Sequence, residues 1–351
     1  MLSNLKNKVK FIKKTIYITI ILIFISSNSN IAHSEKGECN DSINKDIIKE
    51  ANCDQKRVID ILLLYDADMI LDREWQNNIF NRLEEINKFY YENYKIKWRI
   101  TDTQKFRFDK NINNLSSLFS LHKKEISKLT DNIEAKVVLA IVERDIKGIG
   151  IAATFSNVVM VSDASKFKNH VNSVIVAHEF GHLFGAWHTQ RKNDFMLFSG
   201  ANKLLGSKES NAIINLMRDY NFDPKTIINN HLILNRISRQ YSRHHARGEI
   251  DPVARLLTDE GNSLYLEKKY SEAIKILKRS NNYYGRWGNT RMILSKSYYE
   301  IDFLEDSFTE YTRAVFFGAK PDKEHEKNLR NKFIDLQKID STISNPFELN
   351  N

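Results

Sequence analysis

The chain has 351 residues, enough for about two domains of ordinary size, and its 42% hydrophobic content suffices for packed cores. Twelve glycines and only four prolines argue against a turn-rich all-β fold. The formal net charge is +9, but Lys6, Lys8, Lys10, Lys13 and Lys14 carry five of those charges; without residues 1–34, which hold no acidic residue, it falls to +4 and gives no argument for a nucleic-acid partner.

The lysine cluster is followed by the apolar run "TIYITIILIFIS" and then by small and polar residues ending in Ala32-His33-Ser34. This order of charged, apolar and polar regions predicts a signal peptide over residues 1–34, cleaved after Ser34, and a secreted, periplasmic or cell-envelope protein. The competing reading is an uncleaved anchor, the one case in which a membrane becomes a partner. Residues 35–56 form a polar N-terminal segment holding Cys39 and Cys53, a pair expected to form one disulfide in an oxidising compartment. The alternative is a free cysteine that masks a metal.

A region over residues 57–225 then alternates strand and helix signals. "RVIDILLLYDADMI" reads as a buried strand. Trp75, Ile79, Leu83, Ile86, Phe89 and Tyr90 recur at helical spacing, Trp98 to Phe108 alternates as a second strand, and Leu115 to Leu129 is a second amphipathic helix. "AKVVLAIVER", "GIGIAATF" and "NVVMVSDA" are three further β-prone runs. A helix from Val171 to Phe184, with Asn172 or Ser173 as N-cap, completes a mixed α/β sandwich, and another helix runs from Ser207 to Tyr220. Residues 226–252 read as a linker whose basic residues Arg236, Arg239, Arg243, His244, His245 and Arg247 form a solvated helix face.

From residue 253 to 345 the composition is helical and repeats itself. "EGNSLYLEKKYSEAIKIL" from Glu260 and "LSKSYYEIDFLEDSFTEY" from Leu294 are offset by 34 residues, with Gly261 matching Ser295, Ala273 matching Ser307 and Leu277 matching Tyr311. Period and positions resemble the tetratricopeptide repeat, a scaffold that implies a protein partner. The plain alternative is an ordinary helical hairpin bundle.

The stretch "VAHEFGHLFGAWH", Val176 to His188, carries the chemistry. His178 and His182 are i and i+4 on a helix, so both imidazoles reach one ion. Three nitrogen ligands with an open fourth position suit a catalytic Zn2+, and Glu179 is placed to take a proton from water there. Val176, Phe180, Leu183 and Phe184 supply an apolar stripe to pack beneath the sheet. Gly185 can adopt the left-handed conformation that ends a helix, which lets the chain turn back and present His188 as third ligand.

These residues match H-E-x-x-H-x-x-G-x-x-H, and the chain resembles the metzincin zinc metallopeptidases, most nearly the adamalysin-like branch. The resemblance covers roughly residues 57–225. It implies a zincin catalytic domain, with mixed sheet and active-site helix, ahead of the all-α tetratricopeptide-like domain. It also implies a tight turn with Met196 packed beneath the metal and an edge strand holding substrate at Gly150, Ile151, Ala152 and Ala153. Adamalysins have aspartate after the third histidine, where this chain has Thr189. The implied activity is that of a zinc endopeptidase acting on peptides or proteins, with Glu179 as general base and the repeats choosing a partner or substrate. On that reading a chain ending near residue 225–250 keeps peptide cleavage. The alternative is a tetratricopeptide-like adaptor with a zinc site and little or no catalysis.

Overall fold

The computed structural model describes residues 56–339 except 68–72, 145, 163–168, 199–201 and 243–244, together with 342 and 344–347. The expected signal peptide and the Cys39–Cys53 pair lie outside the described residues. Five strands form one sheet: β1 (Arg57–Asp66), β2 (Ile96–Phe106), β3 (Val137–Val142), β4 (Gly150–Ala152) and β5 (Val158–Ser162), in the order β2-β1-β3-β5-β4. All pairings are parallel except that of β4, which runs antiparallel along β5 with Ile151 opposite Met160. The one antiparallel strand thus forms an edge of the sheet.

Strand alternation divides the core into two layers. On one face Leu62, Leu64, Val138, Ala140, Val158 and Met160 pack under helix α2 (Leu115–Lys128), through Leu118, Phe119 and Ile126. On the other face Ile61, Leu63, Leu139, Ile141 and Val159 cover helices α1 (Arg73–Tyr94) and α3 (Asn169–Leu183). Aromatic residues fill this second layer. Trp98 stacks on Phe180 with ring centroids 3.9 Å apart, and the Tyr90 hydroxyl donates to the Ala177 carbonyl at 2.8 Å. The expected stripe of Val176, Phe180, Leu183 and Phe184 is buried, as are Val174, Ile175 and Ala177 on other faces of the same helix. Helix α3 is therefore a core helix with apolar contacts nearly all round.

Three expectations are corrected here. Helix α3 starts at Asn169, so Asn172 and Ser173 lie inside it, buried, and neither is its N-cap. The helix expected over Ser207 to Tyr220 is shorter, α4 (Lys208–Leu216), with Ser207 as its N-cap accepting from the Ser210 amide. Residues 226–252, expected to be a linker with a solvated basic helix, do hold helix, most of α5 (Lys225–Ile228) and all of α6 (His231–Tyr241), but one side of it joins the core. Ile227, Ile228, Leu234, Ile237 and Tyr241 belong to the same buried core as α3. The basic residues of α6 occupy the opposite side of an amphipathic helix whose apolar residues recur at helical spacing.

Helices α7 (Pro252–Leu266) and α8 (Tyr270–Tyr283) form a hairpin, as do α9 (Gly288–Glu300) and α10 (Leu304–Phe316), with α11 (Lys323–Ile339) following. The 34-residue period extends to the backbone. Lys268 and Asp302 both adopt left-handed φ, 61° and 60°, and the amides after them donate to Leu264 and Tyr298 carbonyls at 2.9 and 3.0 Å. Small residues stand where paired helices touch: Ser295 Oγ donates to the Ser307 carbonyl at 2.7 Å, and Ser307 Oγ to the Ser295 carbonyl at 2.8 Å. Val253, Leu256 and Leu257 of α7 join the core of α3, whereas α9 to α11 bury their apolar residues in separate clusters.

Candidate metal centre

Helix α3 ends where Gly185 takes φ 86°, and the Ala186 amide reaches back to the Gly181 carbonyl at 3.1 Å. This is the left-handed stop that the sequence suggested. A β-carbon at Gly185 would lie 2.1 Å from Phe155 Cε1, so the turn is walled in as well as left-handed. Beyond it the chain doubles back, and His178, His182 and His188 come together with one ligand nitrogen of each within 4.8 Å of the others.

Each imidazole is held through its Nδ1. His178 donates to the Phe195 carbonyl and His182 to the Ala186 carbonyl, both at 2.7 Å, and His188 to Glu249 Oε2 at 2.9 Å. These bonds fix the tautomer and leave Nε2 as the free ring nitrogen in all three. Burial pushes the His178 pKa down to about 4, with His188 adding to the shift; burial, then His178 and His188, hold His182 well below the ordinary value. Both stay neutral at pH 7, the state in which imidazole binds a metal. Three nitrogen donors, oriented from behind and converging on one point, fit Zn2+.

Glu179 is buried, and burial pushes its pKa up to about 8, opposed by a hydrogen bond from the Ala152 amide. The carboxyl group therefore rests against strand β4. A β-carbon at Gly150 would lie 2.5 Å from Glu179 Oε1, so Gly150 leaves the room that this side chain occupies. Of the four expected edge-strand residues, Gly150, Ile151 and Ala152 form β4, and Ala153 follows it. All four are half-buried.

Met196 is fully buried in a tight turn closed by the Leu197 amide on the Asp194 carbonyl at 3.0 Å. It lies against α3, since a β-carbon at Gly181 would be 2.6 Å from Met196 Sδ. The same turn provides the Phe195 carbonyl that holds His178. Buried Asp194 secures it, accepting from the Met196 amide at 3.0 Å, Thr189 Oγ1 at 3.2 Å and Ser210 Oγ at 2.8 Å. Thr189, next to the third histidine, is thus tied to the methionine turn.

Sequence reasoning missed Asp194 and Glu249. Asp194 stands two residues before Met196 and could have been found from that place. Glu249 is 61 residues from His188, in the stretch expected to be a linker, and carries no local signal.

Residues 55–211 match the family model described as metallo-peptidase family M12. This match contains all three histidines, Glu179 and Met196, and together with the histidine cluster supports a metallopeptidase that uses zinc. No curated protein matches the chain. Among solved structures, a chain from a chaperone–substrate complex is similar at 16% identity and TM-score 0.38, over 48% of this chain and 35% of that one. Archaemetzincin from Methanopyrus kandleri is similar at 13% identity and TM-score 0.34, over 46% of this chain and 96% of that one. Metalloproteinase-II from Bacteroides fragilis is similar at 14% identity and TM-score 0.34, over 46% of this chain and 54% of that one.

Proposed function

We propose that this chain is an exported zinc endopeptidase whose helical hairpins select a protein substrate or partner. The observation that carries the reading is the convergence of His178, His182 and His188, each held through Nδ1, beside the buried carboxyl group of Glu179. The lysine cluster and apolar run of residues 1–34 support export. In this reading the peptidase domain spans about residues 57–225, and the tetratricopeptide-like region 253–345.

Bound zinc supplies the Lewis acidity that acidifies water and polarises a carbonyl. Beside a bound dication, which favours the carboxylate form against the burial that raises its pKa, Glu179 takes the proton of the attacking water and passes it to the leaving amine. The antiparallel edge at Gly150 to Ala153 suits an extended peptide, which adds a strand through main-chain hydrogen bonds. Met196 packs beneath α3 and shapes the floor of the site.

Glu179→Gln keeps the shape of the side chain but accepts no proton. Turnover of library peptides is expected to fall about 10²–10⁴-fold with zinc content unchanged. His182→Ala is expected to lose zinc itself. A Glu179→Gln protein that cleaves as fast as its parent refutes the peptidase reading.

A further inference from the structure

The three histidines are not held alike. His178 and His182 sit on a buried helix, and both bond to neutral backbone carbonyls. His188 lies past the end of that helix, its side chain is 26% exposed, and its acceptor is a carboxylate. That carboxylate belongs to neither the sheet nor the histidine helix; it comes from the turn joining α6 to α7.

This turn is built against the third histidine. The Ala246 amide donates to the His188 carbonyl at 2.9 Å, so backbone and ring are gripped together. The Glu249 amide closes on the Ala246 carbonyl at 3.1 Å, and the Tyr241 hydroxyl donates to the Glu249 carbonyl at 2.5 Å. Tyr241 is anchored in the main core and packs edge-on against Trp187 at 5.7 Å. At the other end Asp251 caps α7, accepting from the Val253 amide at 2.8 Å and from Ser238 on α6. The Glu249 side chain is only 13% exposed. Its carboxylate is thus fixed by the helical region and aimed at a single ring nitrogen.

We propose that Glu249 is a positioning residue for the metal site: it orients His188 and raises its basicity as a ligand, so the helical region completes the zinc centre. The proposal rests on the zinc reading of the three histidines. A carboxylate bonded to the far nitrogen of a ligating imidazole fixes its tautomer and strengthens its donation to the metal, and losing such a partner costs about 10–100-fold in metal affinity. Catalytic activity from residues 57–225 alone is therefore not expected.

The test is zinc affinity of the full chain, measured by competition with a chromogenic chelator, for the parent, Glu249→Gln and Glu249→Ala. The amide oxygen of glutamine still accepts the Nδ1 proton but carries no charge. Affinity is expected to fall about 10-fold for Glu249→Gln and toward 100-fold for Glu249→Ala. The thermal midpoint of metal-free Glu249→Gln is expected to match that of the parent. In cobalt-substituted protein the visible absorption bands are expected to shift for Glu249→Gln, which a role in packing alone would not produce. Unchanged affinity and bands in Glu249→Gln overturn the proposal, and that variant decides the matter if Glu249→Ala fails to fold. A parent that binds zinc but cleaves no peptide removes the peptidase reading and leaves this one intact; a parent that binds no zinc removes both.

Discussion

At the end of the histidine helix, Gly185 takes φ 86° in a space closed by Phe155; at the ends of α7 and α9, Lys268 and Asp302 take φ 61° and 60° in exposed turns. The same backbone device serves two purposes. In the hairpins it reverses a helix so that its partner can pack, and a side chain at the turn costs only local strain. At Gly185 it sets the direction in which His188 returns to the other two histidines, and the surrounding core leaves no latitude. The histidine turn is also gripped from both sides of the chain, by the Met196 turn and by residues 246–249. The turn after α7 closes on its own helix, through the Lys268 and Lys269 amides on the Tyr265 and Leu264 carbonyls. The turn after α9 does the same through the Asp302 and Phe303 amides, and the Lys332 side chain reaches it from α11.

The largest expected effect lies at the boundary between these regions. A chain ending after residue 225 removes Leu234, Ile237, Tyr241, Val253, Leu256 and Leu257 from the core that holds α3. Burying such a side chain contributes about 1.5–3 kcal/mol, so losing six rivals the typical stability of a whole domain, about 5–15 kcal/mol. Such a chain is expected to be insoluble or to lack cooperative unfolding by calorimetry. A soluble, cooperatively folding product would show that the peptidase region is self-sufficient and that the two regions are separable.

Gly185→Ala is the next test. It places a β-carbon 2.1 Å from a ring carbon of Phe155, whose ring is fully buried. The Phe155 backbone is held as well, its amide on the His182 carbonyl at 3.1 Å and its carbonyl by the Tyr220 hydroxyl at 2.6 Å. Left-handed strain and overpacking together are expected to cost about 2–5 kcal/mol. Displacement of His188 should weaken zinc binding as well. Denaturant unfolding and zinc competition measure the two effects; normal values for both would mean that the turn tolerates a side chain as the hairpins do.

The site was legible where its geometry is local. His178 and His182 share a helix face, Glu179 is their neighbour, and the glycine before His188 marks the reversal, so five positions within 11 residues specify one another. The alternation of strand and helix signals was equally readable, because each element's period is written in its own side chains. What was hidden depends on partners far along the chain. Glu249 is 61 residues from His188, and its role exists only once α6 brings the turn back across the site. The arginines of α6 suggested a solvated surface, while the burial of Leu234, Ile237 and Tyr241 depends on which core the helix meets. Asn172 and Ser173 are good caps by residue type, but α3 begins three residues earlier than Asn172, so neither stands at its end.

The smallest expected effect completes the comparison at Lys268. Its left-handed φ of 61° costs a lysine about 1–2 kcal/mol that glycine avoids. Glycine in turn loses about 0.4–1 kcal/mol through the greater freedom of the unfolded chain. Lys268→Gly is therefore expected to stabilise the protein by no more than about 1.6 kcal/mol. Because Lys268 is exposed and makes a turn joining α7 to α8, zinc affinity and peptide cleavage should not move. Urea unfolding with and without zinc gives both numbers. The metal site is coupled to α7 at its N-terminal end, through the turn that carries Glu249, whereas Lys268 lies past its C-terminal end. A loss of zinc affinity in Lys268→Gly would mean that the first hairpin acts on the site as one rigid body, and the contrast between a fixed histidine turn and tolerant hairpin turns would fail there.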